Sequence, residues 1–169
     1  HNNWSMGTDD GQNLLEPGNN PHENAQFLLF LSAVIKAVDK YAGLLRMTAS
    51  NPGNDHRLGA NEAPPAIISI FLGNLEEILE GIATGKPVAS ADGGKLEVGV
   101  TSLPKLPRDL TDRNRTSPFA FTGNKFEFRM VPSSESISGP NVALNTAVAE
   151  ILSEFADILE KASDKNEAI

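Results

Sequence analysis

The chain of 169 residues contains no cysteine. That excludes disulfides, thiolate metal sites and a cysteine nucleophile, and it fits a reducing compartment, with the cytoplasm as the expected location. Basic residues are outnumbered: 14 Lys and Arg against 22 Asp and Glu leave a net charge of −8. Such a balance argues against unaided nucleic-acid binding, because phosphate backbones demand cations. A small anionic ligand is still allowed, since a few local arginines can make a positive pocket. Long apolar runs are lacking as well. The longest, Phe27 to Val38, is broken by Ser32 and Lys36, too short and interrupted to span a bilayer, so no membrane is expected. There is no P-loop, no Gly-x-Gly-x-x-Gly, no placeable Ser-His-Asp set and no internal repeat. The chain begins at His1 without a methionine or signal-like segment and trails off in polar residues after Ser163. It reads as a piece of something longer, residues 1–169 forming one partial domain.

What is present is a set of amphipathic helices and one clear hairpin. Asn20-Pro21-His22-Glu23 has the letters of a capped helix start. Phe27, Leu31, Val34, Val38, Tyr41 and Leu45 then recur at helical spacing, which predicts one long buried helix over about 21–48. Ala66 to Phe71 is a strand-like apolar run. Asn74 should cap a second helix carrying Leu75, Ile78, Leu79 and Ile82, closed near Gly85. The stretch from Lys86 to Pro107 is rich in turn residues, with one short strand possible at Leu96 to Val100. A last helix, about 140–162, carries Val148, Ile151, Leu152, Phe155, Ile158 and Leu159, with Glu150, Glu154, Asp157 and Glu160 outside the stripe.

Three clusters of polar residues interrupt this pattern. His1, Asn3 and Ser5 alternate, so on a strand they share one face. A frayed terminus would carry the same letters. Arg57 and Glu62 sit on a segment loosened by Gly59 and stiffened at its exit by Pro64 and Pro65. That suits a lid or substrate clamp, and equally a surface turn with a solvated ion pair. Gly123-Asn124 marks a hairpin whose second strand alternates cleanly: Phe126, Phe128 and Met130 face the core, while Lys125, Glu127 and Arg129 face the other way. The charged row is either a cross-strand ladder or a place to hold phosphate and a metal.

The wording of these segments resembles the catalytic domain of glutamine synthetase, its type III branch most closely. The resemblance lies in His1-Asn-Asn-Trp-Ser, in Asn54-Asp-His-Arg-Leu-Gly-Ala-Asn-Glu-Ala-Pro-Pro65, and in Asn114-Arg-Thr-Ser-Pro-Phe-Ala-Phe-Thr-Gly-Asn-Lys-Phe-Glu-Phe-Arg129. It implies an α+β fold, an antiparallel sheet packed against long amphipathic helices, incomplete here because the family's N-terminal β-domain and Glu-x-Glu metal strand precede the first motif. It implies a reaction in which ATP phosphorylates the side-chain carboxylate of glutamate and ammonia displaces the phosphate, with Mg2+ or Mn2+ as cofactor. It also implies a ring-forming homo-oligomer with sites between subunits.

Carried over by motif, His1 and Glu127 correspond to metal ligands. Asn3, Ser5, Arg115 and Lys125 correspond to ATP-binding positions, Lys125 standing where an arginine is common. Arg57 and Arg129 correspond to arginines that face substrate glutamate. Glu62 corresponds to the flap glutamate that takes a proton from ammonium, and Arg115 to the arginine on the transferring phosphate. Ala120 falls where another branch of the family has a further arginine, so one phosphate contact is unassigned. A related glutamate–amine ligase and a non-catalytic structural or oligomer-forming segment are the rival readings.

Overall fold

The computed structural model describes residues 2–53, 70–85, 117–132 and 134–163. Helix α1 (Ala25–Lys40) starts at Asn24, whose side-chain oxygen accepts from the Phe27 amide at 3.0 Å. Asn20, expected to cap, instead precedes a single 3-10 turn, Pro21–Glu23, and its side chain bonds to Glu23 at 3.1 Å. The Glu23 amide, which a cap would serve, is taken by the Asn20 carbonyl. Asn24 also donates to the carbonyls of Glu16 and Pro17, so one residue starts the helix and pins the loop before it.

The expected helix over 21–48 is divided again at Tyr41, which leaves helical geometry at φ −114° and ψ 20°. Helix α2 (Ala42–Thr48) follows. The apolar stripe continues in register across the break, with Leu45 fully buried and Leu44 exposed. Helix α3 (Leu75–Thr84) closes at Gly85 in the left-handed conformation, φ 64°, where glycine carries no Cβ penalty. Asn74 does not cap it: its backbone is already helical, at φ −67° and ψ −12°, so its side chain lacks the capping geometry.

Helix α4 (Ser138–Lys161) lies antiparallel along α1. Leu31, Val34 and Val38 on α1 and Leu144, Val148 and Ile151 on α4 are buried, and both helices bring alanines (Ala33, Ala37, Ala143, Ala147) to the core. Toward its end the stripe lifts from the core: Phe155 is half-buried and Ile158 is exposed. Glu150 and Glu154, outside the apolar stripe, pair with the neighbouring helix. Lys36 meets Glu154 at 2.8 Å, and Lys40 meets Glu150 at 2.9 Å and Glu154 at 3.0 Å.

Among the described residues the sheet has four strands in the order β1-β4-β3-β2, with β1 at Asn2–Trp4, β2 at Ile70–Phe71, β3 at Phe119–Phe121 and β4 at Phe126–Phe128. The expectation of a wholly antiparallel sheet is corrected at one strand. β2 joins β3 in parallel, Ile70 opposite Phe119, after a long crossover that contains α3. The fold is α+β with a mixed sheet. The expected strand over 96–100 and the first part of the run from Ala66 lie outside the described residues. Within the hairpin Gly123 takes φ 86°, as the tight turn requires. Phe119 stacks on Phe126 with centroids 4.7 Å apart, Phe121 meets Phe126 edge-on at 5.2 Å, and Phe27 of α1 reaches Phe121 at 5.9 Å. This phenylalanine layer joins sheet to helix. Among the described residues no helix is long and apolar enough to cross a membrane.

Replacing Ile151, wholly buried, by alanine should destabilise the protein by about 2–5 kcal/mol, while Ile158→Ala should stay within about 0.5 kcal/mol; urea unfolding measures both. The helix pairing has its own acid limb. Glu150 is held below the ordinary carboxylate value by hydrogen bonds from Tyr41 and Lys40, and Glu154 by those from Lys36 and Lys40. Their contribution is present above the unfolded value near 4.5 and is lost as pH falls through the lower folded values. Lys40 is raised by Glu150 and Glu154, so its contribution is full below 10.5 and is lost as pH rises past the higher folded value. The Glu150→Gln/Glu154→Gln double variant should flatten both limbs of a plot of melting temperature against pH.

Candidate functional site: the polar face of the sheet

One row of partners crosses the sheet on the side opposite Phe119, Phe121, Phe126 and Phe128. Asn3 stands opposite Glu127, Glu127 opposite Ala120, and Ala120 opposite Phe71. Side chains of directly paired residues point the same way, so these four share a face. The inward rows carry Trp4, Phe126 and Phe121, and Asn2, Phe128, Phe119 and Ile70. Alternation along β4 puts Lys125 on one side of Glu127 and Arg129 on the other. Ser5 follows β1 at the same end as Lys125, where its hydroxyl faces Asn13 Oδ1 at 2.7 Å and the Asn124 carbonyl at 3.1 Å. Asn13 donates to that carbonyl too, at 2.9 Å, and so ties the loop after β1 to the hairpin turn.

Arg129 is more enclosed than a solvated ladder would have it. Its side chain is 7% exposed, against 24% for Glu127. Its Nε donates to Glu127 Oε2 at 2.9 Å, and a terminal nitrogen donates to the Ser117 carbonyl at 3.3 Å. A guanidinium cannot shed its proton, so a buried one must be paired. The structure therefore brings Asn3, Ser5, Lys125, Glu127 and Arg129 together at one sheet face. His1, Arg57, Glu62 and Arg115 lie outside the described residues. Ala120, at the unassigned phosphate position, is buried beside Glu127 and offers no polar group.

A face with two cations, one carboxylate and one amide can receive an anion beside a bound cation. Magnesium prefers several oxygen ligands and keeps waters. Among the described residues no group of three or more His, Cys, Asp or Glu could hold a metal, and Glu127 is the carboxylate the polar row supplies. An apolar groove of about 670 Å³ lies elsewhere, lined by Ile35, Val38, Ile70, Leu72, Leu79 and Ile82 among others, and it shares no residue with the polar row.

The sequence pattern missed the residues that seat β1. Asn2 Nδ2 donates to Asn141 Oδ1 and Trp4 Nε1 to Asn145 Oδ1, each at 2.7 Å. The signal was present: Asn141 and Asn145 continue the spacing of Leu144 and Val148 back into the first turns of α4, as polar residues within an apolar stripe. His22 is half-buried with Nδ1 enclosed and Nε2 3.7 Å from Glu23.

The chain is similar to three glutamine synthetases. It is 58% identical over 153 residues to a type-3 glutamine synthetase of Dictyostelium discoideum, covering 90% of this chain and 21% of the relative. It is 47% identical over 178 aligned positions to a glutamine synthetase of Bacteroides fragilis, covering 100% of this chain and 24% of the relative. To a glutamine synthetase of Butyrivibrio fibrisolvens it is 56% identical over 128 residues, 75% of this chain and 18% of the relative. The chain thus spans about a fifth of the length of the curated relatives it matches. No protein-family model matches it.

Glu127→Ala, which takes away the carboxylate that accepts from Arg129 Nε, should cost about 1–3 kcal/mol in urea unfolding.

Proposed function

From the homology of this chain to a segment of the glutamine synthetases, we propose that it forms part of an ATP-dependent ligase joining ammonia to the side-chain carboxylate of glutamate. The observation that carries the proposal is the polar row in which Asn3, Lys125, Glu127 and Arg129 share one sheet face. The reaction must neutralise charge on several phosphate oxygens at once, which is work for cations and a bound metal. Mg2+ or Mn2+, when bound, would supply much of that neutralisation, with His1 and Glu127 among its ligands. Asn3, Ser5, Arg115 and Lys125 would face the nucleotide. Arg115 would also meet the transferring phosphate. Arg57 and Arg129 would grip glutamate, the planar fork of arginine matching a carboxylate. Glu62 would close over the site and take a proton from bound ammonium, leaving ammonia as the nucleophile. The whole protein would act in the cytoplasm as a ring-forming homo-oligomer, with each site shared between neighbouring subunits.

The Glu127–Arg129 pair also favours a rival in which the charged strand is structural alone. A second rival, a ligase for other amines, differs only in the nucleophile. The intact protein separates all three through γ-glutamyl hydroxamate formation, a comparison of ammonia with small amines, and ADP–magnesium binding. The proposal expects Glu62→Ala to lower kcat by about 10²-fold or more and Arg57→Ala to raise KM for glutamate. It expects Glu127→Ala to abolish ADP–magnesium binding in protein that remains folded; unchanged binding would establish the structural rival. The isolated 169-residue chain should form no hydroxamate.

A further inference from the structure

Two neutral hydrogen bonds seat β1 on α4, from Asn2 to Asn141 and from Trp4 to Asn145. Asn2 is 4% and Trp4 8% exposed, so both donors are withdrawn from water and an unmatched one costs free energy. The spacings agree. Two residues along a strand advance about 6.6 Å and four along a helix about 6.0 Å, so residues two apart on β1 meet residues four apart on α4. Only one register satisfies both donors. A slip of one residue would turn Asn3 into the core and leave the two donors without acceptors. Among the described residues β1 lies at the edge of the sheet with β4 as its neighbour, and its register there covers Asn2, Asn3 and Trp4. The helix supplies the second constraint.

We infer that Asn141 and Asn145 are positioning residues for the nucleotide side of the site. They act through Asn2 and Trp4 to keep Asn3 beside Glu127. The inference rests on the ligase proposal, which makes Asn3 and Glu127 nucleotide- and metal-side groups. The glutamate side has a further hold away from β1, because Arg129 donates to the Ser117 carbonyl as well as to Glu127.

The test uses the intact protein, with ADP–magnesium affinity and KM for glutamate measured side by side. Asn141→Leu/Asn145→Leu, which removes both acceptors, should weaken ADP about tenfold while glutamate KM changes by no more than about twofold. Asn141→Asp/Asn145→Asp keeps an acceptor oxygen at each position and should hold ADP affinity within about threefold of the wild type. Wild-type ADP affinity in the leucine variant overturns the inference, as does parallel loss of both ligands in the leucine and aspartate variants. Should the leucine variant fail to fold, Trp4→Phe deletes one donor and keeps an aromatic ring. It should weaken ADP by a few fold with glutamate KM unchanged, and an unchanged ADP affinity overturns the inference. Failure of the wild type to bind ADP–magnesium overturns the ligase proposal itself, and the inference with it.

Discussion

The packing of Phe119, Phe126 and Phe128 is the constraint on which the rest depends. These rings are wholly buried, Phe119 meets both of the others, and they fix which way β3 and β4 face. Once Phe126 and Phe128 point inward, the two-residue period leaves Glu127 no choice but the opposite side, with Lys125 and Arg129 flanking it. β1 then inherits its orientation by pairing with β4, and Asn3 comes to rest beside Glu127. The polar face is in this sense the reverse side of the hydrophobic core. Substitutions that thin the phenylalanine layer would disturb the polar row without touching it.

Much of this was legible because it is periodic. The alternation in Phe126-Glu127-Phe128 assigns both faces of β4, and the stripes on α1 and α4 are visible in their letters. What escaped was decided by partners distant in the chain. Asn20 and Asn24 both carry a capping side chain, and only the folded loop from Glu16 selects Asn24. The break at Tyr41 leaves the apolar stripe in register, so the stripe does not reveal it. The parallel placement of β2 depends on β3, far along the chain. The pairing of Glu150 and Glu154 depends on Lys36 and Lys40, brought opposite them from far along the chain.

The candidate site was legible in a different way. Lys125, Glu127 and Arg129 followed from alternation, but their chemistry followed from resemblance, since a charge ladder would have the same pattern. The structure adds the enclosure of Arg129 and the company of Asn3 and Ser5. The part that Asn141 and Asn145 play is not legible in the spacing of the helix, because polar residues within a stripe gain meaning only from their partners on β1.

Helix α4 is held by unlike forces at its two ends. Near its start, Asn141 and Asn145 bind β1 through neutral amide and indole groups, which dissolved ions scarcely weaken. Farther along, Glu150 and Glu154 bind α1 through exposed charges, whose attraction fades as the Debye length shrinks from about 10 Å at 0.1 M to about 3 Å at 1 M salt. Ionic strength therefore acts on this helix as a one-sided solvent variable, loosening the far end while the seat of β1 keeps its grip.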